Sequence, residues 1–391
     1  MKTTLSNVCN IIAGYAFKGK DFNNSGYPVI KITDIKPPYA STYDCSKVDL
    51  ENYCTEKLEK FLVSRGDFVI AMTGATIGKI GRITSGIAYI NQRVAKFDVN
   101  DEITKAYIYQ LLLSDGFATH ITANIDSQSA QPNLSAGSIG RFEFDLHSYE
   151  EQRHIVDILG SIDEKLEYYD NLIRQLELEG ELQYKSIFEN SSLARNRVEL
   201  SSIASFYNGY SYSGEELCDN SQECLVTIKN FDRNGGFKID GFKPIQVSGK
   251  IKPDMYVEVG DLLVAHTDLT QNADIIGNPI LLLNLGGYER AIISMDLVKV
   301  KSDIWPAELL YFILKNIDFK AHSLGYCAGT TVLHLSKKAL QEYSFNMPSD
   351  KTIVIELISK LQAIIERIKL AHIEIQKLNE LKRLYLLKFF G

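Results

Sequence analysis

The sequence lacks the cysteine spacing that marks metal sites and disulfide frameworks. None of its six cysteines forms a CxxC pair, whereas zinc sites and disulfide-stapled domains usually show such pairs or a regular framework. A zinc site is therefore the less favoured alternative, and we expect reduced thiols in a cytoplasmic protein. Long apolar runs are also missing, since no stretch approaches the roughly 20 residues that span a bilayer. The sequence predicts no metal and no membrane partner.

Catalytic motifs are absent or defective. Lys36-Pro37-Pro38-Tyr39 resembles the catalytic loop of amino-methyltransferases, but Lys36 stands where that loop needs an amide or carboxylate. Gly74-Ala75-Thr76-Ile77-Gly78-Lys79 is one residue short of a phosphate-binding loop and is followed by Ile80 rather than Ser or Thr. The seven histidines include no HExxH, and no GxSxG is present. These defects predict a protein without catalytic residues and without a cofactor.

An overall excess of positive charge, which favours binding to phosphates, is missing too, because the net charge is −7. The deficit is unevenly distributed. Residues 1–147 hold 15 basic and 15 acidic side chains, and residues 195–347 hold 15 and 18. Residues 148–194 hold only 4 basic against 11 acidic ones, while residues 348–391 hold 8 against 5. The two large segments therefore have enough cations for a local basic face, so the composition permits nucleic-acid binding.

The chain contains an internal repeat with an offset near 195 residues. Gly14-Tyr15-Ala16-Phe17 recurs as Gly209-Tyr210-Ser211-Tyr212. The octapeptide that begins at Gly66 recurs from Gly260, and Leu134-Ser135 recurs as Leu335-Ser336. Because the matches keep one order, we infer a duplicated unit whose loops differ in length.

Each repeat begins with a region of short strands, turns and one clear helix. In the first repeat, Val29–Ile32, Phe68–Ala71 and Ala95–Val99 are predicted strands, and Thr104–Leu113 is a predicted helix. In the second repeat we expect strands at Leu225–Ile228, Leu262–Ala265 and Leu297–Val300 and a helix over Pro306–Leu314. The pattern predicts two mixed α/β globules of similar fold.

Each repeat then ends in a long helix with a coiled-coil seam, in which apolar residues alternate at steps of four and three. The first seam comprises Ile155, Leu159, Ile162, Leu166, Tyr169, Ile173 and Leu176, and the second comprises Leu357, Leu361, Ile364, Ile368, Ala371, Ile375, Leu378, Leu381 and Tyr385. Gly180 is expected to interrupt the first seam. The first helix has an acidic outer face, and the second has a basic one that includes Lys382 and Arg383. Opposite charges favour an antiparallel intramolecular pair, and forty helical residues span about 60 Å. Packing of each helix on its own globule is the alternative.

The end of the first globule and the start of its helix resemble Type I restriction-modification DNA specificity subunits. The similar residues are Asn133-Leu134-Ser135, the strand Phe142–Leu146, the helix start Glu150–Leu159, Ile162–Leu166 and the helix end Tyr184–Phe188. The second copy departs from the pattern, because Pro348 to Val354 lacks the Glu-Gln pair. The order globule, helix, globule, helix nevertheless covers the whole chain.

The resemblance implies an α/β protein with two target-recognition domains and two long antiparallel coiled-coil helices. The domains would be residues 1–147 and 195–347, and the spacer helices residues 148–194 and 348–391. Each domain would read one half of a bipartite target in double-stranded DNA, and the helix pair would set the gap. Two methyltransferase subunits would dock on the helices, and a translocating restriction subunit could join them.

Candidate DNA contacts are polar and cationic residues in glycine-rich or amide-rich loops, because such side chains reach phosphates and base edges. In the first domain they are Tyr15, Lys18, Lys20, Thr73, Gly74, Thr76, Lys79, Arg82, Asn91, Gln92, Arg93, Gln128, Ser129, Gln131 and Asn133. In the second domain they are Tyr210, Tyr212, His266, Thr267, Gln271, Tyr326, Thr330, Thr331, His334 and Lys337. Each of them could instead be an ordinary turn residue.

Two other functions stay open at this point. A coiled-coil scaffold that binds only proteins would show the same repeat and the same helices. A DNA methyltransferase or nuclease with an unrecognised site is the other, and binding of adenosylmethionine by the purified chain would favour it.

Overall fold

Short strands and helices alternate along both repeats, as the glycine and proline punctuation predicts. The computed structural model describes residues 1–43, 45–51, 53–125, 133–233 and 235–391. The chain divides into unit 1, Met1–Leu166 with Lys377–Gly391, and unit 2, Glu167–Gln376. None of the helices in the described ranges is long and apolar enough to cross a membrane.

In unit 1 the strands are β1 (Lys2–Thr4), β2 (Asn10–Ala13), β3 (Phe22–Asn23), β4 (Tyr27–Ile30), β5 (Ile35–Lys36), β6 (Tyr39–Ala40), β7 (Lys47–Val48), β8 (Leu62–Ser64), β9 (Phe68–Ala71), β10 (Ile80–Arg82), β11 (Ile87–Ile90), β12 (Val94–Asp98) and β13 (Glu143–Asp145). The helices are α1 (Thr55–Leu58), α2 (Glu102–Leu111), α3 (Asp115–Asn124), α4 (Ala136–Gly140) and the first part of α5 (Tyr149–Phe188).

In unit 2 the strands are β14 (Arg195–Glu199), β15 (Ser205–Asn208), β16 (Glu223–Val226), β17 (Lys243–Pro244), β18 (Tyr256–Val257), β19 (Leu262–Ala265), β20 (Thr267–Asp268), β21 (Pro279–Leu281), β22 (Arg290–Ile293), β23 (Leu297–Lys301), β24 (Cys327–Ala328), β25 (Leu333–Leu335) and β26 (Ser344–Pro348). The helices are the second part of α5, then α6 (Ala307–Lys315), α7 (Ile317–Leu324), α8 (Lys338–Gln341) and most of α9 (Lys351–Phe390), which ends in unit 1.

The two repeats use the same sheet plan. In unit 1 one sheet has the order β2-β12-β9-β10-β6-β5 and the other β3-β7-β4-β11-β8. In unit 2 the corresponding orders are β15-β23-β19-β21 and β17-β16-β22-β18. The first strand of each globule pairs with its last, β1 with β13 and β14 with β26. The central strands β9 and β19 are buried at every position, which explains their uninterrupted apolar sequences.

The predicted mixed α/β fold with two long helices is confirmed, with local differences at the ends of elements. β4 ends at Ile30 rather than Ile32, because the backbone N–H of Lys31 donates to the carboxylate of Asp34 at 2.7 Å and starts a 3-10 turn. α2 starts at Glu102 rather than Thr104, because Asp101 caps it by accepting from the N–H of Thr104 at 2.7 Å.

The long helices run antiparallel within unit 1. The rings of His154 and Phe389 lie 6.3 Å apart, and nine residues further along α5 Asp163 meets Lys382. The first seam is buried at Ile155, Leu159, Ile162, Leu166 and Leu176. The expected basic outer face is wrong at Lys382, whose side chain is buried, whereas Leu381, predicted in the seam, is 42% exposed.

Gly180, at which the first seam is expected to be interrupted, lies within α5. The helix continues through it to Phe188. A Cβ built on Gly180 would lie 2.3 Å from the ring of Phe312, which belongs to α6 of the same unit and is buried. Glycine at this position therefore lets the globule approach the helix closely.

Candidate nucleic-acid interface

Backbone hydrogen bonds bring the first two candidate segments of unit 1 together. The N–H of Tyr15 donates to the carbonyl of Ile90 at 2.9 Å, and Tyr15 forms a parallel bridge with Asn91. A Cβ on Gly14 would lie 2.3 Å from the carbonyl oxygen of Ile90. Glycine at position 14 therefore permits the close approach of the segment that carries Tyr15, Lys18 and Lys20 to the turn at Asn91.

The third segment joins through Met72, at the end of β9. The N–H of Met72 donates to the carbonyl of Arg93 at 2.9 Å, and its carbonyl accepts from the N–H of Leu134 at 2.8 Å. Thr73 forms an antiparallel bridge with Asn133. Residues 14–20, 73–79 and 91–93 and Asn133 thus share one edge of the globule, which we call the unit 1 edge.

The unit 1 edge presents cations and amides to solvent. The exposed members are Lys18, Lys20, Lys79, Gln92, Arg93 and Asn133. Thr76 is held in place because its hydroxyl donates to the carbonyl of Ile32 at 3.1 Å. Gly74 has φ +76, a left-handed conformation that favours glycine. The buried hydroxyl of Thr73 has no hydrogen-bond partner in the described part of the chain.

Two candidates in unit 1 lie apart from these exposed groups. The ring of Tyr15 is half-buried and packs on Phe17, Tyr53 and Phe61 with centroid distances of 5.0 to 5.8 Å. Arg82 lies at the far end of β10 from Lys79, and its guanidinium carbon is 6.0 Å from the ring centroid of Tyr109 on α2. Gln128, Ser129 and Gln131 lie outside the described residues.

The same hydrogen bonds recur in unit 2. The N–H of Tyr210 donates to the carbonyl of Ile293 at 2.7 Å, and that of His266 to the carbonyl of Asp296 at 2.7 Å. The carbonyl of His266 accepts from the N–H of Leu335 at 2.8 Å, and Thr267 pairs with His334. We call the edge of the globule that these residues share the unit 2 edge. It is built like the unit 1 edge, with His266 in the place of Met72 and Asp296 in the place of Arg93.

The candidates of unit 2 fall into an exposed group, a buried group and three half-buried tyrosines. Gln271, Thr330, Thr331, His334 and Lys337 are exposed.

The buried group consists of His266 and Thr267. The hydroxyl of Thr267 donates to Asp296 at 3.0 Å. Burial, together with the nearby positive charge of Lys337, lowers the pKa of His266 to about 4. The imidazole is therefore neutral near pH 7, and its buried Nε2 has no partner among the described residues.

The tyrosine candidates of unit 2 already have hydrogen-bond partners. The hydroxyl of Tyr210 donates to Glu216 at 2.8 Å, and that of Tyr326 donates to Glu342 at 2.6 Å. Lys243 donates to the hydroxyl of Tyr212 at 3.4 Å. The backbone N–H groups of Ser248 and Ser213 and the hydroxyls of Tyr210 and Ser248 donate to Glu216 and lower its pKa to about 2. The carboxylate therefore stays ionised and anchors the segment of Tyr210.

Comparison with known proteins identifies a family and a curated relative that this chain resembles. Residues 1–178 match the family model described as the Type I restriction modification DNA specificity domain. These residues belong to that family. The resemblance inferred from the sequence is confirmed by this match and by a curated relative, the Type I restriction enzyme EcoBI specificity subunit of Escherichia coli. That relative is 30% identical over 165 residues, which are 41% of this chain and 32% of the relative.

One solved structure extends the likeness to the whole chain at the level of the fold. The crystal structure of a Type I restriction-modification system S subunit from M. genitalium aligns over 100% of this chain and 96% of its own, with a TM-score of 0.58 and 14% identity. The HsdS subunit of Thermoanaerobacter tengcongensis aligns over 100% of this chain and 96% of its own, but with a TM-score of only 0.33 and 15% identity. The first alignment shows that the fold of a specificity subunit covers both units.

The specificity domain has a further exposed turn at the unit 1 edge that the sequence reading missed. The 3-10 turn Ile32–Asp34 contacts the loop of Thr76 and exposes Thr33. In unit 2 the equivalent turn, Ile228–Asn230, exposes Lys229. Both turns are closed by a side chain in the third position, Asp34 or Asn230, which accepts from the backbone N–H of Lys31 or Thr227. This repeated capping pattern is the signal that could have revealed the two turns.

Across the described ranges, no group of three or more His, Cys, Asp or Glu side chains is arranged to hold a metal ion. The chemistry that both edges offer is donation and acceptance of hydrogen bonds together with positive charge. Such groups suit phosphate oxygens and base edges.

Proposed function

We propose that this chain is the DNA-recognition subunit of a Type I restriction-modification complex and performs no catalytic step itself. Residues 1–147 and 195–347 are the two target-recognition domains, and each reads one half of a bipartite site in double-stranded DNA. Residues 148–194 and 348–391 are the spacer helices that set the gap between the half-sites. The complex acts on host DNA in the cytoplasm.

One observation carries this proposal: the same backbone hydrogen bonds recur in both repeats and gather the polar segments at an edge of each globule. A repeated scaffold with different exposed side chains suits a protein that reads two different half-sites. At the unit 1 edge, Lys79 and Arg93 provide charge for phosphates, while Gln92 and Asn133 provide amides for base edges. At the unit 2 edge, Asp296 replaces Arg93, so the two edges offer different donors and acceptors.

The proposed partners are two methyltransferase subunits, to which a restriction subunit can be added. The surfaces of the two long helices support this part of the proposal. Large apolar side chains are exposed on both helices, with Tyr168 61%, Leu178 57% and Leu182 58% exposed on α5. On α9, Ile355 is 59% and Leu370 53% exposed. Apolar residues in such numbers on a helix surface favour burial by a protein partner. In this proposal the methyltransferase subunits cover them.

The proposal is tested by selection of targets from a random duplex DNA library with the chain assembled with methyltransferase subunits. We expect one split motif, two short half-sites around a fixed spacer, and an affinity that falls steeply with salt. Lys79→Ala and Arg93→Ala should each weaken binding and reduce the salt dependence.

Arg65→Ala is the matched control for these two variants. It removes the same charge from an exposed turn at the opposite end of β9 from Met72, so its binding should equal that of the unaltered complex. Selection of no motif, with binding that does not respond to salt, would contradict the proposal and favour a protein-only scaffold.

A further inference from the structure

An internally fixed loop connects β20 to β21 in unit 2. Asp268 is buried. One of its carboxylate oxygens accepts from the N–H and from the hydroxyl of Thr270, both at 2.9 Å. The other oxygen accepts from the N–H of Ile275 at 2.7 Å and from the N–H of Ile276 at 3.3 Å. One side chain therefore ties both ends of the segment 270–276.

Lys320 of α7 fixes the same loop from the other side. Its ammonium donates to the carbonyl of Ala273 at 2.7 Å, to the carbonyl of Ile276 at 2.6 Å and to the amide oxygen of Asn278 at 2.8 Å. An ammonium has three N–H donors, so all of them point to this loop. We call Asp268 and Lys320 together the loop clamp.

The backbone of the loop adopts a conformation that needs such support. Ala273 has φ 56, the left-handed region, and no other non-glycine residue in the described ranges has a positive φ. Ala273 and Ile276, which belong to the loop itself, are buried. The buried residues and the loop clamp thus hold a strained backbone in one conformation.

The tip of this fixed loop is polar and unused by the fold. Gln271 and Asn272 are exposed, and within the described chain their side chains have no hydrogen-bond partner. The loop adjoins the unit 2 edge, because Thr267 and Asp268 pair with His334 and Leu333. Because the backbone of this loop is already fixed, binding through its free amides costs little further conformational entropy.

The corresponding connection in unit 1 is shorter. It runs over residues 72–79, against 266–278 in unit 2, and it turns through the 3-10 helix Gly74–Thr76 and Gly78. The clamped loop is therefore a feature by which the two edges differ.

Resting on the proposed function, we propose that the clamped loop enters the major groove and reads an adenine in the half-site of the second domain. A glutamine or asparagine amide matches adenine, because its oxygen accepts from the N6 amino group while its nitrogen donates to N7. Gln271 and Asn272 are the reading residues, and the loop clamp positions them.

The reading residues are tested by target selection with the assembled complex that carries Gln271→Ala or Asn272→Ala. Both side chains are exposed, so neither change should affect folding. We expect at least one variant to lose about tenfold or more of its discrimination at a single A·T pair of the second half-site, while the first half-site stays unchanged. The control is Gln222→Ala, an exposed amide at the opposite end of β16 from the unit 2 edge.

The loop clamp is tested by the affinity of the same complex for its selected duplex and for a scrambled duplex. Lys320→Met should weaken binding to the selected duplex about tenfold and leave binding to the scrambled duplex unchanged. A loss of both affinities in parallel with a lower melting temperature would overturn the positioning role.

The outcomes separate this inference from the proposed function. A split motif that both amide variants retain unchanged overturns the reading loop and leaves the proposed function standing. A variant that loses discrimination at a G·C pair overturns the assignment to adenine. If the unaltered complex selects no motif, the proposed function fails together with the inference.

Discussion

Asp163 on α5 and Lys382 on α9 form a buried ion pair, with 2.5 Å between the ammonium nitrogen and a carboxylate oxygen. The other carboxylate oxygen accepts from the amide of Gln110 on α2 at 2.6 Å. Burial lowers the pKa of Lys382, and the negative charge of Asp163 opposes this shift. The pair therefore joins both long helices to the globule of unit 1.

Lys382→Met should destabilise unit 1 strongly, because it leaves the charge of Asp163 buried without its partner. We expect the free energy of unfolding in urea to fall by about 3–5 kcal/mol. The double variant Asp163→Asn with Lys382→Met removes both charges, retains an acceptor for Gln110 and should recover most of this loss. Strictly additive effects of the two substitutions would show that the pair is not coupled.

Gly180→Ala should destabilise unit 2 although alanine is the better helix former. The new methyl group would meet the buried ring of Phe312 at 2.3 Å, and such overpacking costs about 1–3 kcal/mol. Gly160→Ala, on the same helix, is the control. Its new methyl group meets only Val156 at 4.0 Å, so it should stabilise by up to about 1 kcal/mol. Equal thermal shifts of the two variants would refute the role of Gly180 in packing.

Thr73 and Thr267 are equivalent residues with different hydrogen bonding, and their valine variants should differ accordingly. Thr267→Val removes a donor to Asp296 and should lower the free energy of unfolding by about 1 kcal/mol. Thr73→Val removes a buried hydroxyl that has no partner in the described part of the chain, so stability should stay equal or rise. A loss of stability in Thr73→Val equal to that in Thr267→Val would contradict this difference. Chemical denaturation of both variants measures these effects.

His266 should make unit 2 sensitive to acid. Its pKa is about 4 in the folded chain and about 6.5 when unfolded, so between these values the unfolded state binds more protons. Stability is therefore lost as the pH falls from about 6.5 to 4, by up to about 3 kcal/mol from this group. His266→Met, which copies Met72 of unit 1, should remove that part of the loss in urea denaturation at pH 7 and pH 4.5. An unchanged difference between the two pH values would contradict the assignment.

The sequence predicts the class of fold well because this class follows from patterns among residues that are close together in the chain. The apolar runs of β9 and β19 predict central strands, and the alternating steps of four and three predict α5 and α9. Identification of the repeat also predicts that equivalent residues occupy equivalent places. The hydrogen bonds of Tyr15 and Tyr210 agree with this.

What the sequence could not predict depends on contacts between residues far apart in the chain. A lysine on a helix reads as solvent-exposed, and only the approach of Asp163, 219 residues away, explains the burial of Lys382. From the sequence, Gly180 only interrupts the apolar seam, and nothing near it in the chain indicates the ring of Phe312 that it accommodates. Similarly, nothing local to Asp268 reveals that Lys320 holds the other side of its loop.

In the proposed function, this chain selects the methylated sequence of its host through two recognition domains. The most direct measurement is long-read methylation mapping of host DNA, with the gene intact, deleted, and carrying Gln271→Ala with Asn272→Ala. We expect a split methylated motif that disappears on deletion and, in the variant, changes in one half-site only. Identical methylation in the intact and deleted strains, while the chain and its methyltransferase are both expressed, would contradict it.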